Sequence, residues 1–158
     1  MRLRVLWFGR PGADPCPGLV EEYRRRVGRR WPAEDVPLRP ARGGRSGDPA
    51  RARRLEARVV ADRLPAGWRV VLLEEGGRQL SSVELARWLR GVEEEGCPGV
   101  AWVVGSDLGL DPSLQERADL LLSLGRLTLP HMLARLVLWE QLFRAADILA
   151  GGGYHRGS

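Results

Sequence analysis

The chain reads as an α/β protein with a mainly parallel β-sheet flanked by helices. Two observations predict this. Short apolar segments alternate with segments of helical spacing along the 158 residues, the order that builds strand–helix–strand units. The strongest strand candidate, Gly99–Val104, is a nearly uninterrupted apolar run, GVAWVV, as expected for a strand covered on both faces.

The elements follow in order. Residues 3–8 form a short apolar strand, and Pro17–Val27 reads as a helix. Residues 35–38 are a weak strand, and residues 41–48 a polar, Gly-rich loop. Pro49 suits a helix start, where its missing N–H costs nothing, and residues 50–64 continue with helical spacing. Residues 68–73 are a strong strand, closed by Gly76-Gly77. Ser81 and Glu84 form a capping-box pair that opens a helix over residues 83–94. After Gly99–Val104 come a short helix at residues 112–118, a fifth strand at 120–124, and a helix from Pro130 to about Leu149. A tail carries Tyr154-His155-Arg156.

The length suits one domain spanning residues 1–158. No apolar run reaches the ~18 residues of a membrane helix, so no membrane association is expected. The N-terminal MRLRVLWFGRPG has too short an apolar core for a secretory signal. Cys16 and Cys97 stand far apart, in no metal or redox spacing, and read as thiols of a cytoplasmic protein. The net charge of +5 is uneven: residues 1–54 hold 14 Arg against 6 acids, and residues 55–158 hold 11 Arg against 14. There is no Lys. Arg24, Arg25, Arg26, Arg29 and Arg30 crowd in and just after one helix; Arg39, Arg42, Arg45, Arg51, Arg53 and Arg54 follow in and around the Gly-rich loop. Guanidinium clusters suit phosphate, since each can donate two parallel hydrogen bonds. Either a nucleic-acid-facing surface or a merely solvated face fits the charge alone.

Ligands of parallel sheets bind beyond the C-terminal strand ends. Three strong strands end there in suggestive text: Leu73 before Glu74-Glu75-Gly76-Gly77, Val104 before Gly105-Ser106-Asp107-Leu108-Gly109, and Leu124 before Gly125-Arg126-Leu127-Thr128-Leu129-Pro130. A ligand crevice is expected at that edge. The chain has no GxxxxGK[ST] loop, no GxGxxG after the first strand and no GxSxG, which removes P-loop NTPases, common dehydrogenases and serine hydrolases. Two His without clustered Cys or carboxylates predict no catalytic metal.

The segment Leu127-Thr128-Leu129-Pro130-His131, then Arg135, Glu140-Gln141-Leu142-Phe143-Arg144-Ala145 and the terminal Tyr154-His155-Arg156, resembles the ribosomal large subunit methyltransferase H family of the SPOUT superfamily. Glu22-Tyr23 with the following arginines fits that family's first helix, Leu80-Ser81-Ser82 its middle helix, and Val104-Gly105 with Gly109-Leu110 its glycine loop. The resemblance covers essentially the whole chain and is most specific at the C-terminal end. It implies a C-terminal trefoil knot and transfer of a methyl group from S-adenosyl-L-methionine to N3 of a pseudouridine in helix 69 of 23S rRNA on the ribosome. Three places depart from the pattern: Ser106 stands where the family usually has a second Gly, Phe143 replaces the usual Tyr, and Gly151-Gly152-Gly153 is unusually glycine-rich.

Carried over by position, the cofactor residues are Leu73, Gly105, Leu124, Gly125, Arg126, Leu127, Thr128 and Leu129. N3 carries a weakly acidic proton that must leave, so a general base or groups stabilising the deprotonated ring should lie nearby. His155 is the first candidate because imidazole titrates near neutrality. Tyr154 is placed to stack on or hydrogen-bond the base, with Glu140 and Arg144 as a catalytic pair or a plain i,i+4 ion pair. His131 at a helix start is a candidate for an RNA phosphate or the cofactor carboxylate, or a packed histidine. Arg24, Arg25, Arg26, Arg135 and Arg156 are expected to hold RNA. The last helix is apolar on more than one face, which together with the resemblance predicts a homodimer. Two other readings remain: a SPOUT enzyme acting on ribose 2′-O of tRNA or rRNA, and a non-catalytic ribosome-binding module.

Overall fold

In a computed structural model of the chain, describing residues 1–10, 12, 16–41 and 47–157, strands β1 (Arg2–Phe8), β2 (Ala33–Leu38), β3 (Arg69–Gln79), β4 (Gly99–Val104) and β5 (Leu120–Ser123) form one sheet in the order β2-β1-β4-β3-β5. All four pairings are parallel, so the expectation of a mainly parallel sheet sharpens to a wholly parallel one among the described residues. The connections are α1 (Pro17–Val27), α2 (Pro49–Ala61), α3 (Ser82–Glu94) and α4 (Pro112–Gln115), followed by α5 (His131–Leu149) and a 3-10 turn, Tyr154–Gly157.

Side-chain alternation along each strand divides the core between the two faces. Leu3, Val5 and Trp7 of β1 join Val71, Val100 and Trp102 beneath α1, α3 and α5. Leu6 and Phe8 join Val70, Leu72 and Val103 beneath α2 and α4, through Ala57, Val60 and Leu114. Burial on both faces explains why β4 has no polar positions. The capping box is present at α3: the Ser81 hydroxyl accepts from Glu84 N–H, and the Glu84 carboxylate accepts from Ser81 N–H.

β3 departs from expectation. Gly76-Gly77 does not end the strand; it lies in a bulge, and pairing with β5 resumes so that Leu73 and Arg78 both face Leu122. Gly77 is needed there because a Cβ would sit 2.7 Å from the Leu121 carbonyl oxygen. The bulge swings Glu74 and Glu75 out of the regular ladder at the sheet's C-terminal edge.

Arg135 corrects a sequence expectation. It does not face RNA: it points into the core, where Nε and Nη2 donate to the two carboxylate oxygens of Asp35 at 3.0 and 2.6 Å. Its guanidinium lies 3.7 Å over the Trp7 ring. The indole N–H groups of Trp7 and Trp139 donate to the same carboxylate at 2.9 and 2.8 Å. Asp35 thus joins β2, β1 and α5 through one buried charged node, which fixes the position of α5 against the sheet.

Candidate active site

The three strand ends converge on one cavity of about 570 Å³. The β3 bulge supplies Leu73, Glu74 and Glu75; the β4–α4 turn supplies Gly105, Ser106, Asp107 and Gly109; the β5–α5 loop supplies Leu124, Gly125, Leu127, Thr128, Leu129 and Pro130; His131 closes the wall. Of the eight residues expected to bind the cofactor, only Arg126 is not in the lining; it is exposed beside the loop. Leu127 is 81% exposed at the rim, an apolar side chain left in solvent where a ligand or a second chain can cover it.

The lining has a clear chemical character. Apolar walls alternate with the carboxylates of Glu74, Glu75 and Asp107, and no arginine among the described residues takes part. Such a surface suits a ligand with apolar rings and positive charge and disfavours one rich in phosphate. Glu74 and Glu75 were legible as the text after a strong strand but fell outside the expected cofactor set. His131 Nδ1 lies 2.8 Å from Asp107 Oδ1, so this histidine is drawn into the cavity wall rather than onto an arginine-rich face.

A second cluster lies further along α5. Glu140 Oε1 accepts from Arg144 Nε at 3.0 Å and Nη2 at 2.7 Å. It also accepts from the Tyr154 hydroxyl at 3.2 Å. The Tyr154 ring packs against Phe143, with centroids 4.8 Å apart, and beneath the Arg144 guanidinium at 4.7 Å. Phe143 therefore keeps the packing of an aromatic ring without a hydroxyl. The tail is set by glycine: a Cβ on Gly152 would collide with the Asp147 carboxylate, which instead accepts from Tyr154 N–H at 3.0 Å. Hydrogen bonding with Tyr23, together with burial and the Glu140 charge, pushes the Tyr154 phenol up to about 12. Pairing with Glu140 likewise raises Arg144. Tyr154 is therefore a hydrogen-bond donor at neutral pH, and Arg144 a fixed cation.

None of Glu140, Arg144, Tyr154 and the half-buried His155 lines the cavity. Nine residues separate His131 from Glu140 on one helix, about 13 Å at 1.5 Å per residue. The structure brings together the cofactor set and, separately, the tail set.

The α1 arginines are largely committed to their own helix. Arg24 pairs with Glu21 at 2.6 Å, and Arg26 pairs with Glu22 and lies over the rings of Tyr23 and Phe143. Arg25 is exposed. Arg42, Arg45 and the side chain of Arg156 lie outside the described residues.

A family model described as "Predicted SPOUT methyltransferase" matches residues 1–155. The chain belongs to the SPOUT methyltransferases. Within them it is similar, nearly end to end, to proteins named ribosomal RNA large subunit methyltransferase H. That of Paramagnetospirillum magneticum is 42% identical over 157 residues, 99% of each chain. That of Solidesulfovibrio magneticus is 47% identical over 153 residues, 97% of each. That of Gloeobacter violaceus is 40% identical over 158 residues, 99% of this chain and all of the relative. The resemblance carried by the TLPH and YHR segments is borne out. No helix among the described residues is long and apolar enough to cross a membrane.

Proposed function

We propose that this SPOUT methyltransferase acts in the cytoplasm, uses S-adenosyl-L-methionine and methylates N3 of a pseudouridine in helix 69 of 23S rRNA within the ribosome. The observation that carries the cofactor assignment is the cavity at the strand ends, with its glycine turns, apolar walls and three carboxylates. The rRNA assignment rests on full-length similarity to relatives whose names state an rRNA substrate. Family membership also implies that the C-terminal segment is knotted.

When bound, the sulfonium cofactor supplies an electrophilic methyl group without a metal. The residues present fit it: Leu73, Leu124 and Leu129 offer walls for a ring, and the Glu74, Glu75 and Asp107 carboxylates complement its positive groups. On the substrate side, the N3 proton must leave as the nitrogen lone pair is engaged. Tyr154 stays protonated, with its hydroxyl donating to Glu140, and its ring offers a surface on which the base can stack. Glu140 is held by Arg144 and Tyr154 and orients both. His155 is the residue of this cluster suited to take the N3 proton.

Cavity and tail cluster lie apart within one chain, and a homodimer built on α5 reconciles them. Leu133 and Val137 are 41% and 36% exposed, and helical spacing continues their stripe to Glu140 and Arg144. With the two-fold axis perpendicular to α5 the two helices pair antiparallel, and the start of one then lies near the tail cluster of the other. RNA then meets a composite site, with exposed arginines such as Arg25, Arg51, Arg54 and Arg58 positioning phosphates.

Two measurements test this reading. Calorimetry should show saturable S-adenosyl-L-methionine binding, and labelled methyl groups should enter 70S ribosomes but not tRNA. No binding at millimolar cofactor would favour a non-catalytic module; label in tRNA would favour a different SPOUT activity.

A further inference from the structure

We infer that Glu56 is a positioning residue for the cofactor cavity, acting through Ser106. Glu56 projects from α2 and is only 4% exposed. A carboxylate is rarely buried so deeply unless its oxygens are occupied. α2 carries Arg51, Arg53, Arg54 and Arg58, yet the Glu56 oxygens are taken by neutral donors from elsewhere. Oε1 accepts from Ala41 N–H at 3.0 Å, just beyond β2. Oε2 accepts from the Ser106 hydroxyl at 2.7 Å, across 50 residues of sequence.

Ser106 is the hinge of the β4–α4 turn. Its hydroxyl oxygen accepts from Leu108 N–H at 3.2 Å, and its carbonyl accepts from Gly109 N–H at 3.0 Å. Gly109 takes φ +75, open to glycine with little strain. Gly105, Ser106, Asp107 and Gly109 all face the cavity. The turn is thus fastened on one side to α2 through Ser106 and on the other to α5, where Asp107 meets His131 at 2.8 Å. A turn held in its bound shape spares the ligand the cost of ordering it. Here a serine hydroxyl and a buried carboxylate supply that order, and each is the other's partner. Removing the Ser106 hydroxyl leaves an oxygen of the buried Glu56 carboxylate without its donor, and removing Glu56 frees the Ser106 side chain to turn.

The inference rests on the cavity being the S-adenosyl-L-methionine site. The test is calorimetric affinity for that cofactor, with urea unfolding in parallel. Ser106→Ala and Glu56→Ala should each weaken the cofactor by about tenfold or more, the scale of one hydrogen bond to a charged group. The double variant should be little worse than either single one, because the two residues form one unit. Glu56→Gln, able to accept from Ala41 and donate to Ser106, should recover most of the affinity. The KM for ribosomes at saturating cofactor should not move in any variant. If Glu56→Ala does not fold, Ser106→Ala against Glu56→Gln still decides. Folded variants with wild-type cofactor affinity, or losses that simply add, would overturn the inference. A wild-type protein that binds no cofactor would instead overturn the site assignment beneath it.

Discussion

Asp35→Ala should be among the most damaging single substitutions in the chain. The aspartate receives both Arg135 hydrogen bonds and the N–H groups of Trp7 and Trp139. The Arg135 and Asp35 side chains are 7% and 11% exposed, so water does not replace the carboxylate cheaply. Stranding one member of a buried ion pair costs about 3–5 kcal/mol. Two indole N–H groups lose their acceptor as well, at about 1–3 kcal/mol each before water enters the vacated space. A loss of at least about 4 kcal/mol follows, a large part of the ~5–15 kcal/mol typical of folded domains. For a chain of this length it corresponds to roughly 8–16 °C in Tm. Urea unfolding and thermal melts at fixed protein concentration would measure it. Adding Arg135→Met to Asp35→Ala should restore part of the stability, because the stranded charge is gone. A loss below about 1.5 kcal/mol, or a double variant less stable than the single one, would refute the view of Asp35 as the acceptor of a buried cation.

Other consequences are separately measurable. Because the Tyr154 phenol is raised to about 12, absorbance at 295 nm should show one of the two tyrosines ionising about two pH units above an ordinary phenol. The folded protein holds that proton more tightly than the unfolded chain does, so the stability it contributes is complete below pH ~10 and is lost as pH rises towards 12; Tyr154→Phe should flatten that decline. Gly152→Ala should displace the Asp147 carboxylate, release the tail to proteolysis after Gly151 and lower kcat at least tenfold, with cofactor affinity unchanged. Leu133→Glu with Val137→Glu should give monomers by light scattering and abolish methyl transfer; an active monomer would remove the composite site. His155→Ala should lower turnover more than it weakens cofactor binding, and unchanged turnover would remove His155 from the mechanism.

Much of this architecture is visible in local sequence because local physics sets it. α1 and β4 fall at their expected limits, since a proline-led amphipathic run and a six-residue apolar run leave few alternatives. Gly76-Gly77 misleads because glycine serves turns and bulges alike, and only the pairing of Arg78 with Leu122 distinguishes them. The loops that line the cavity are legible because glycines at strand ends point to one edge of a parallel sheet. The fates of Arg135 and Glu56 are not: each is decided by a partner, Asp35 or Ser106, far away in sequence and brought close only by packing. Charge shows the same limit, since Arg24 and Arg26 count towards a basic cluster in the sequence while their acids on α1 neutralise them in the fold.

The most direct test of the central claim is mass mapping of 23S rRNA from ribosomes incubated with this protein and methyl-labelled S-adenosyl-L-methionine. The account predicts a single added methyl on N3 of a helix 69 pseudouridine, dependent on His155. Label confined to a ribose 2′-oxygen or to another RNA, or its absence from ribosomes when the protein binds the cofactor, would contradict it.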